Sequence, residues 1–462
     1  MKNYLISFII LSLIVETYCF LDGRPEGRGG QESVQVNDRI YYMGGSRLIS
    51  SLKRYNLSDE VFYLDLSSLF NIANPPFTDD GTSRMLYGNE KGTAVLGGSS
   101  RSDIYLVGGT QVNLSTINWN VTNQTINWSV ADQFIYIYKT VPNTWTKLQQ
   151  GVKGTQPSRR RSTSTVIKPN GTIYIFGGRV ELDMGSPTLR LYNDLYEFDT
   201  ILLSWNQITA PNAPSPRSHS TATLLPNGKI IYIGGVSQDA VGNQTNLINM
   251  TEIQIFDTNS LSWSTHTASS SVLIQPRVGH SAVLTSDNNS IIIMGGTSSY
   301  QLNQTTVYPK LLKLDISSEP YKYSELKPSG INSPPPLSYH SANIYSDYMI
   351  IAFGNITNDI TDSIETSSKV FLLYIPCLTW ESTFIPGRSD CKSNLGGNSN
   401  PIGSYLKIII GFSIAFGVII IVGLIWCIFK RRRNILEWIN NCHRNSSSST
   451  IGQDEQIHEP LS

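Results

Sequence analysis

Three features of the sequence predict an all-β protein, a six-bladed β-propeller ectodomain followed by one C-terminal transmembrane helix. A short apolar strand that ends in glycine occurs six times along the chain. Each copy lies in a unit whose other segments alternate apolar and polar side chains, as half-buried strands do. An unbroken apolar run at residues 408–429 then has the length of a membrane span.

The repeated strand is easily recognised in the printed sequence. The copies are IYYMGG (40–45), IYLVGG (104–109), IYIFGG (173–178), IIYIGG (230–235), IIIMGG (291–296) and a degenerate IIAFGN (350–355). Aligned on the first glycine of each pair, with Gly354 in that place in the last copy, the steps are 64, 69, 57, 61 and 59 residues. A period of this size without a helical pattern predicts a radial array of sheets.

The paired glycines have two possible roles, to bind a phosphate or to shape the backbone. A phosphate site needs a helix after the glycines, with its positive end towards the anion. Here a polar loop and another strand follow, so we predict structural glycines where neighbouring blades crowd together. They are Gly44, Gly45, Gly108, Gly109, Gly177, Gly178, Gly234, Gly235, Gly295 and Gly296.

Each unit contains four predicted strands. In the unit around Gly234, an alternating strand precedes the Asn227-Gly228 hairpin turn, and the apolar strand follows it. A variable loop leads to a third strand, and a fourth strand carries an aromatic residue. That residue is Trp145, Trp205, Trp263 or Trp380 in four units, Tyr321 or Tyr323 in the fifth and Phe77 in the first. Four strands in each of six units are typical of a β-propeller.

This pattern resembles the kelch repeat, and the resemblance covers residues 33–384. The Gly-Gly strand, a Tyr or Phe further along and a Trp after an Asp-Thr-like turn carry it. The kelch propeller also occurs in galactose oxidase, so the resemblance implies a second possibility, a copper-radical oxidase. That family holds copper with two Tyr and two His, and one of those Tyr residues is cross-linked to a Cys.

The histidines of the ectodomain argue against such a copper site. His219, His280 and His340 occupy what we take to be one repeat position, with Arg161 in that slot in another blade. A side chain that recurs once per blade is expected to be scaffold, facing the neighbouring blade. Asp199, Asp257 and Asp315 also recur, at the turn before the aromatic strand. The sequence therefore predicts no catalytic, cofactor-binding or metal-binding residue, and it predicts that the run Arg159–Arg161 is a solvated loop.

The two ends of the chain predict a type I membrane topology. Residues 1–19 have the charge and apolar core of a signal peptide, with an uncleaved anchor as the alternative. Residues 385–405 form a predicted flexible stalk, and residues 408–429 the transmembrane helix. Lys430 and Arg431–Arg433 follow at once, which indicates that the tail, residues 430–462, is cytoplasmic. We expect a plasma-membrane protein with an extracellular N-terminal domain.

Cysteines and glycosylation motifs fit this topology. Cys377 and Cys391 are the pair left to the ectodomain, and we predict a disulfide between them. Asn-x-Ser/Thr motifs predict N-glycans. They begin at Asn56, Asn113, Asn120, Asn123, Asn127, Asn170, Asn243, Asn249, Asn288, Asn303 and Asn355.

Composition restricts the possible partners. Charged residues make up 15% of the chain and the formal net charge is zero, which argues against nucleic acid. Long variable loops on a rigid scaffold favour binding. The predicted function is a membrane-anchored platform for an unidentified protein or glycan partner, without a cofactor. The copper-radical oxidase and a structural surface glycoprotein are the alternatives, and the sequence does not determine which propeller face binds.

Overall fold

The computed structural model of the chain describes residues 25–391, apart from 50–53, 80–83, 113–132, 149–150, 182–183, 185, 187, 240–241, 243, 300–303 and 359–364. The predicted signal peptide, transmembrane helix and tail, and all of the stalk beyond Cys391, lie outside these residues. Within them, the structure has no helix that is both long and apolar enough to cross a membrane.

The described residues form six antiparallel arrays of four strands, which we call sheets 1–6 in chain order. Strands one to four of each sheet follow one another in the chain and pair in that order. In sheets 1–3 they are Glu32–Val36, Arg39–Met43, Val61–Asp65 and Phe77–Asp79; Thr93–Gly97, Asp103–Val107, Ile135–Lys139 and Thr144–Lys147; and Ser164–Ile167, Thr172–Phe176, Leu195–Asp199 and Ser204–Ile208. In sheets 4–6 they are Thr221–Leu224, Lys229–Ile233, Glu252–Asp257 and Ser262–Thr267; Ser281–Leu284, Ser290–Met294, Leu311–Asp315 and Lys322–Glu325; and Ser341–Tyr345, Tyr348–Ala352, Val370–Tyr374 and Thr379–Glu381.

Shorter strands pair within the loops and connections. They are Ser46–Ile49 with Arg54–Leu57, Gly88–Glu90 with Thr110–Val112, Arg179–Val180 with Arg190–Leu191, Arg217–Ser218 with Val236–Gln238 and Thr245–Leu247, Leu337–Ser338 with Asn355–Ile356 and Glu365–Thr366, and Phe70–Asn71 with Thr383–Phe384. Ser269–Ser270 adds a parallel strand to the outer edge of sheet 5.

The first strands of the sheets lie side by side in a closed cycle. Each contacts the first strand of the next sheet, and the first strand of sheet 6 contacts that of sheet 1. The described part of the chain is therefore all-β, with the radial arrangement of a β-propeller.

The second strands are buried because sheets cover both of their faces. In sheet 5, all five residues of Ser290–Met294 are buried, which explains the continuous apolar run in the sequence. Aromatic side chains of the fourth strands pack between sheets, and the ring of Trp263 lies 4.5 Å from that of Phe176. In sheet 5 the equivalent residue is Tyr323. It lies opposite Leu314 on the neighbouring strand, as Trp263 lies opposite Phe256 in sheet 4.

The ring is closed by contacts between sheets 6 and 1. The amide of Gly354 donates a 2.7 Å hydrogen bond to the carbonyl of Arg28, so these contacts begin before the predicted domain start at residue 33. The Phe353 ring lies 5.3 Å from Tyr42 and 5.7 Å from Phe62. After the last strand of sheet 6, a disulfide joins Cys377 to Cys391, with Cα atoms 5.4 Å apart.

Candidate functional site

The end of each second strand forms a sharp corner, and the paired glycines lie there. Both glycines of each pair have positive φ, for example 66° at Gly177 and 93° at Gly178. The amide of the second glycine donates to a carbonyl in the connection that leads into the next sheet. These bonds run from Gly45 to Asn89, Gly109 to Arg160, Gly178 to Arg217, Gly235 to Arg277, Gly296 to Leu337 and Gly354 to Arg28. The corner glycines thus link every sheet to its neighbour.

Space as well as backbone conformation requires glycine at these corners. A Cβ atom on Gly177 would collide with the carbonyl oxygen of Arg217, and one on Gly108 would lie 2.9 Å from that of Arg160. In the part of the chain that the structure describes, no α-helix follows the glycines, so the corners have the backbone-shaping geometry.

The sixth corner corrects the sequence alignment. Gly354 makes the hydrogen bond of a second glycine, not of a first, and Phe353 occupies the first position with φ of 62°. The degenerate copy therefore reads Phe-Gly in place of Gly-Gly. The Phe353 side chain is accommodated because it packs on Tyr42 and Phe62 at the ring closure.

A buried arginine supports several corners, which the sequence analysis did not recognise. Arg28, Arg160 and Arg277 each donate from a guanidinium nitrogen to the carbonyl of the first corner glycine, at 3.1, 3.3 and 3.1 Å. Arg277 is fully buried and also donates to the carbonyls of Pro309 and Tyr308. The signal was present as a recurring Arg in GRG, RRRS, PRSH and PRVG.

The prediction of a solvated loop at Arg159–Arg161 is wrong for two of its residues. Arg160 is buried, pairs with Asp194 and lies 3.6 Å from the centre of the Tyr192 ring. Arg161 is buried and contacts Glu90 and Glu181. Position in a connection does not imply exposure when that connection lies between sheets.

The connection that leads into each sheet has one residue with left-handed backbone at the propeller axis. This residue lies two positions after the one that Arg28, Arg160 and Arg277 occupy. We call the six left-handed residues the axial ring. Its members, with φ in parentheses, are Gly30 (68°), Lys91 (57°), Ser162 (54°), His219 (59°), Gly279 (63°) and Tyr339 (52°). Around the ring, backbone amides donate to the carbonyl of the preceding member, from Lys91 to Gly30, Ser162 to Lys91, His219 to Ser162, Tyr339 to Gly279 and Gly30 to Tyr339, at 2.7–3.1 Å.

The axial ring shows that the three histidines do not share one repeat position. His280 and His340 are equivalent, but His219 lies one residue earlier in the frame, where sheets 5 and 6 have Gly279 and Tyr339. Arg161 precedes its ring residue and pairs with Arg179, so it is not equivalent to any of the histidines.

Each histidine nevertheless contacts the neighbouring sheet. Hydrogen bonds join Nε2 of His219 to Ser162, of His280 to Thr221 and of His340 to Ser281, at 3.0, 3.4 and 2.8 Å. Burial lowers the pKa of all three imidazoles, to about 3 for His280 and about 4 for His340, and well below the ordinary value for His219. All three are therefore neutral at physiological pH.

The axial ring surrounds the mouth of a cavity of about 170 Å³. Its wall includes the side chains of Lys91, Ser162, His219 and Tyr339 and those of His280 and His340. Lys91 Nζ lies 5.1 Å from the centre of the Tyr339 ring and 3.4 Å from Glu90. Burial lowers the pKa of the Lys91 ammonium, and the Glu90 carboxylate opposes that shift.

Charged groups lie behind this wall. Arg161 contacts Glu90 at 3.4 Å and Glu181 at 2.7 Å, and Arg179 also contacts Glu181. Burial would raise the pKa of Glu90, but Lys91 and Arg161 outweigh it and lower that pKa. The mouth is therefore surrounded by a network in which both carboxylates are ionised and paired.

Glu32 is a buried carboxyl beside the same ring. Its Oε1 accepts a 2.6 Å hydrogen bond from the amide of Gly92. Burial raises its pKa to about 8, against that hydrogen bond, so Glu32 is largely protonated at neutral pH.

The described residues do not bring together a recognisable catalytic or metal-binding set. Among them, no group of three or more His, Cys, Asp or Glu side chains could hold a metal ion. Asp199, Asp257 and Asp315 each accept backbone amides of the turn that follows them, as at Ile201, Asn259 and Ser317. Cys377 is bonded to Cys391, so its thiol is not free for a cross-link to Tyr.

The asparagines of the predicted glycosylation motifs differ in solvent exposure. Asn56, Asn170, Asn249 and Asn288 are exposed, and Asn355 is 5% exposed. The Asn355 amide donates to Gln304, and its oxygen lies where a Cβ on Gly29 would be. Asn355 is thus buried and hydrogen-bonded in the folded propeller, and N-glycosylation at these motifs stays a prediction. Asn113, Asn120, Asn123, Asn127, Asn243 and Asn303 lie outside the described residues.

Sheets of four strands with glycine corners, arranged around an axial cavity, define a β-propeller of the kelch type. Residues 126–416 match the family model described as the Attractin/LZTR1 beta-propeller, and the chain belongs to that family. The resemblance to kelch repeats is thereby confirmed.

Curated relatives share about half of the chain or less. Multiple epidermal growth factor-like domains protein 8 of Rattus norvegicus is 27% identical over 53% of this chain and 8% of its own length. Kelch domain-containing protein 3 of Bos taurus is 28% identical over 53% of this chain and 61% of that protein. Kelch domain-containing protein 1 of Homo sapiens is 30% identical over 35% of this chain and 36% of its own length. The chain therefore matches less than two thirds of each of these relatives.

Proposed function

We propose that this chain is a type I single-pass membrane glycoprotein whose extracellular six-bladed kelch propeller binds a protein or glycan partner. The supporting observation is that the longest connections, those after the second strands and those between sheets, lie on one face. Strand two ends where strand one begins, as in the pairing of Glu32 with Met43, so the loops after the second strands surround the axial mouth. Variable loops around a concave centre are the usual place for recognition on a rigid scaffold.

Exposed apolar side chains lie on both faces of the propeller. On the proposed binding face, Leu86 and Tyr308 are 46% and 53% exposed. Leu86 follows Met85, whose amide donates to the carbonyl of Asp59 in the loop after the second strand of sheet 1, and Tyr308 lies in the corresponding loop of sheet 5. On the opposite face, Val141 and Leu202 at the turns between third and fourth strands are 85% and 70% exposed. These four exposed residues allow the two faces to be tested with matched changes.

The binding experiment compares the two faces of the full-length chain on living cells. Surface cross-linking of wild type should recover a specific partner. Leu86→Ser combined with Tyr308→Ser should reduce that recovery at least tenfold, because both changes lie on the proposed binding face. Val141→Ser combined with Leu202→Ser should leave recovery unchanged. Loss with the second pair and retention with the first would contradict the proposed face.

The membrane topology rests on residues 1–19 and 408–433 of the sequence. An epitope inserted after residue 24 should be stained on intact cells, and one at the C-terminus only after permeabilisation. Endoglycosidase treatment should lower the apparent mass of the chain by several glycans. An unchanged mass, or a C-terminal epitope accessible on intact cells, would contradict the topology.

No observation on the described residues favours the copper-radical oxidase. His219, His280 and His340 each hydrogen-bond a different sheet junction, and Cys377 is in a disulfide. Binding is therefore the function that the axial face supports best.

A further inference from the structure

The axial ring contains side chains at positions where the backbone favours glycine. All six members have φ between 52° and 68°, a conformation that costs an L-residue about 1 kcal/mol or more. Gly30 and Gly279 show that the backbone of the ring forms without a side chain at these positions. Lys91, Ser162, His219 and Tyr339 instead carry side chains there, and all four line the axial cavity. Strained side chains that converge on one cavity indicate a ligand site.

The chemistry of the cavity wall indicates the kind of ligand. Among the described residues that line the cavity, Lys91 is the charged one, and no carboxylate is present. Ser162 and Tyr339 contribute hydroxyl groups, and His219 contributes a neutral imidazole. The Lys91 side chain is 22% exposed, so solvent reaches it through the mouth. A wall with one cation and several hydrogen-bond donors fits a group with a single negative charge.

Two imidazole nitrogens are buried beside the same cavity. Nδ1 of His280 and Nδ1 of His340 are buried and have no hydrogen-bond partner among the described residues. Both histidines line the cavity. Because both nitrogens are buried, a ligand in the open cavity meets the side chains of Lys91, Ser162, His219 and Tyr339 instead.

The size of the cavity limits what can enter. Pockets for drug-sized ligands usually have volumes of about 300–1,000 Å³. At about 170 Å³, the axial cavity accommodates one side chain rather than a larger molecule. The paired Glu90 and Glu181 lie behind the wall, so the positive charge of Lys91 is the one that a ligand meets.

We propose that the axial mouth binds one carboxylate group, which an acidic side chain of a protein partner inserts between Lys91, Ser162, His219 and Tyr339. This inference rests on the proposed binding function and specifies the chemistry of its central contact. A free carboxylic acid would offer the same chemistry, and the experiment below distinguishes the two sources.

The experiment measures the thermal stabilisation of the full-length chain by ligands, with acetate as the probe and acetamide as its neutral isostere at equal ionic strength. Acetate should raise the Tm of wild type in a saturable manner, because a ligand that binds the folded state stabilises it. Lys91→Gln should weaken the apparent acetate affinity at least tenfold. Lys310→Gln, an exposed lysine on the same face outside the cavity wall, should leave it unchanged. Equal shifts with acetate and acetamide, or an unchanged affinity in Lys91→Gln, would overturn the proposal.

A glycine variant separates ligand binding from folding. Lys91→Gly removes the ammonium and also the left-handed strain, and Glu90 keeps Arg161 as its partner. The chain should therefore still fold with a cooperative transition, and its Tm should not respond to acetate. Retention of the acetate response in this variant would overturn the role of Lys91.

The source of the carboxylate is tested with two short peptides that differ only in a central Glu or Gln. The Glu peptide should bind more tightly than acetate and should depend on Lys91, whereas the Gln peptide should not bind. Binding of acetate without binding of the Glu peptide would overturn the partner side chain as the source. The variants at Leu86 and Tyr308 test the proposed function separately, because neither residue lines the cavity.

Discussion

The corner glycines and the axial ring are both left-handed positions that recur once in each sheet, yet their residues differ. At the corners, glycine occupies the first position in sheets 1–5, and a Cβ there meets backbone or buried side chains of the next sheet. In the axial ring, glycine occupies two of six positions and larger side chains occupy the others. The backbone conformation is similar, but the surroundings differ: a packed junction in one case and an open cavity in the other. A left-handed residue with a side chain therefore marks a place where the side chain has room and a use.

The largest expected effect is that of a side chain at a packed corner. Gly177→Ala would impose left-handed strain and a collision with the carbonyl of Arg217, which together should lower the free energy of unfolding by about 2–5 kcal/mol. Gly151→Ala is the control, because Gly151 also has positive φ but nothing lies within 4 Å of its Cβ position. Its cost should be about 1–2 kcal/mol. Denaturant titration of the full-length chains measures both, and equal costs would show that crowding at the corner does not matter.

The sixth corner tests whether packing can replace glycine. Phe353→Gly would restore the Gly-Gly pair and relieve the strain at φ of 62°, but it would remove a fully buried ring. Loss of a buried Phe costs about 3–5 kcal/mol, so we expect a net loss of about 2–4 kcal/mol. A variant as stable as wild type would mean that the Phe353 ring contributes little to closure between sheets 6 and 1.

The buried carboxyl beside the axial ring predicts a dependence on pH. Burial raises the pKa of Glu32 from 4.5 to about 8, so its favourable contribution is complete below pH 4.5 and is lost as pH rises through 8. Glu32→Gln does not titrate and its side-chain oxygen can still accept from Gly92. The stability of the variant relative to wild type should therefore increase between pH 5 and 8, by up to about 1.4 kcal/mol per pH unit. A difference that is constant over this range would contradict the raised pKa.

The repeat, the strand order and the corner glycines could be predicted from the sequence because glycine and alternating apolar residues report local backbone directly. The axial ring could not be predicted from the sequence. Its side chains, Lys91, Ser162, His219 and Tyr339, are of four different residue types, and none of these types indicates a positive φ. Alignment by residue identity also assigned wrong repeat positions. The shared His-Ser pair placed His219 one position too late, and the glycine in FGN was aligned with the first corner glycine, the position that Phe353 occupies. Burial at Asn355 and Arg160 depends on neighbouring sheets, which a local motif does not describe.

The smallest expected effect tests the central distinction most directly. Ser162→Gly removes a side chain from the axial ring, where glycine already serves at Gly30 and Gly279. Relief of strain offsets the loss of the 3.0 Å hydrogen bond to His219, so the free energy of unfolding should remain within about 1 kcal/mol of wild type. Measured beside Gly177→Ala in the same denaturant titration, it should lie near wild type while the corner variant is strongly destabilised. A Ser162→Gly variant as unstable as Gly177→Ala would contradict the account, because the ring side chains would then be structural and not available for a ligand.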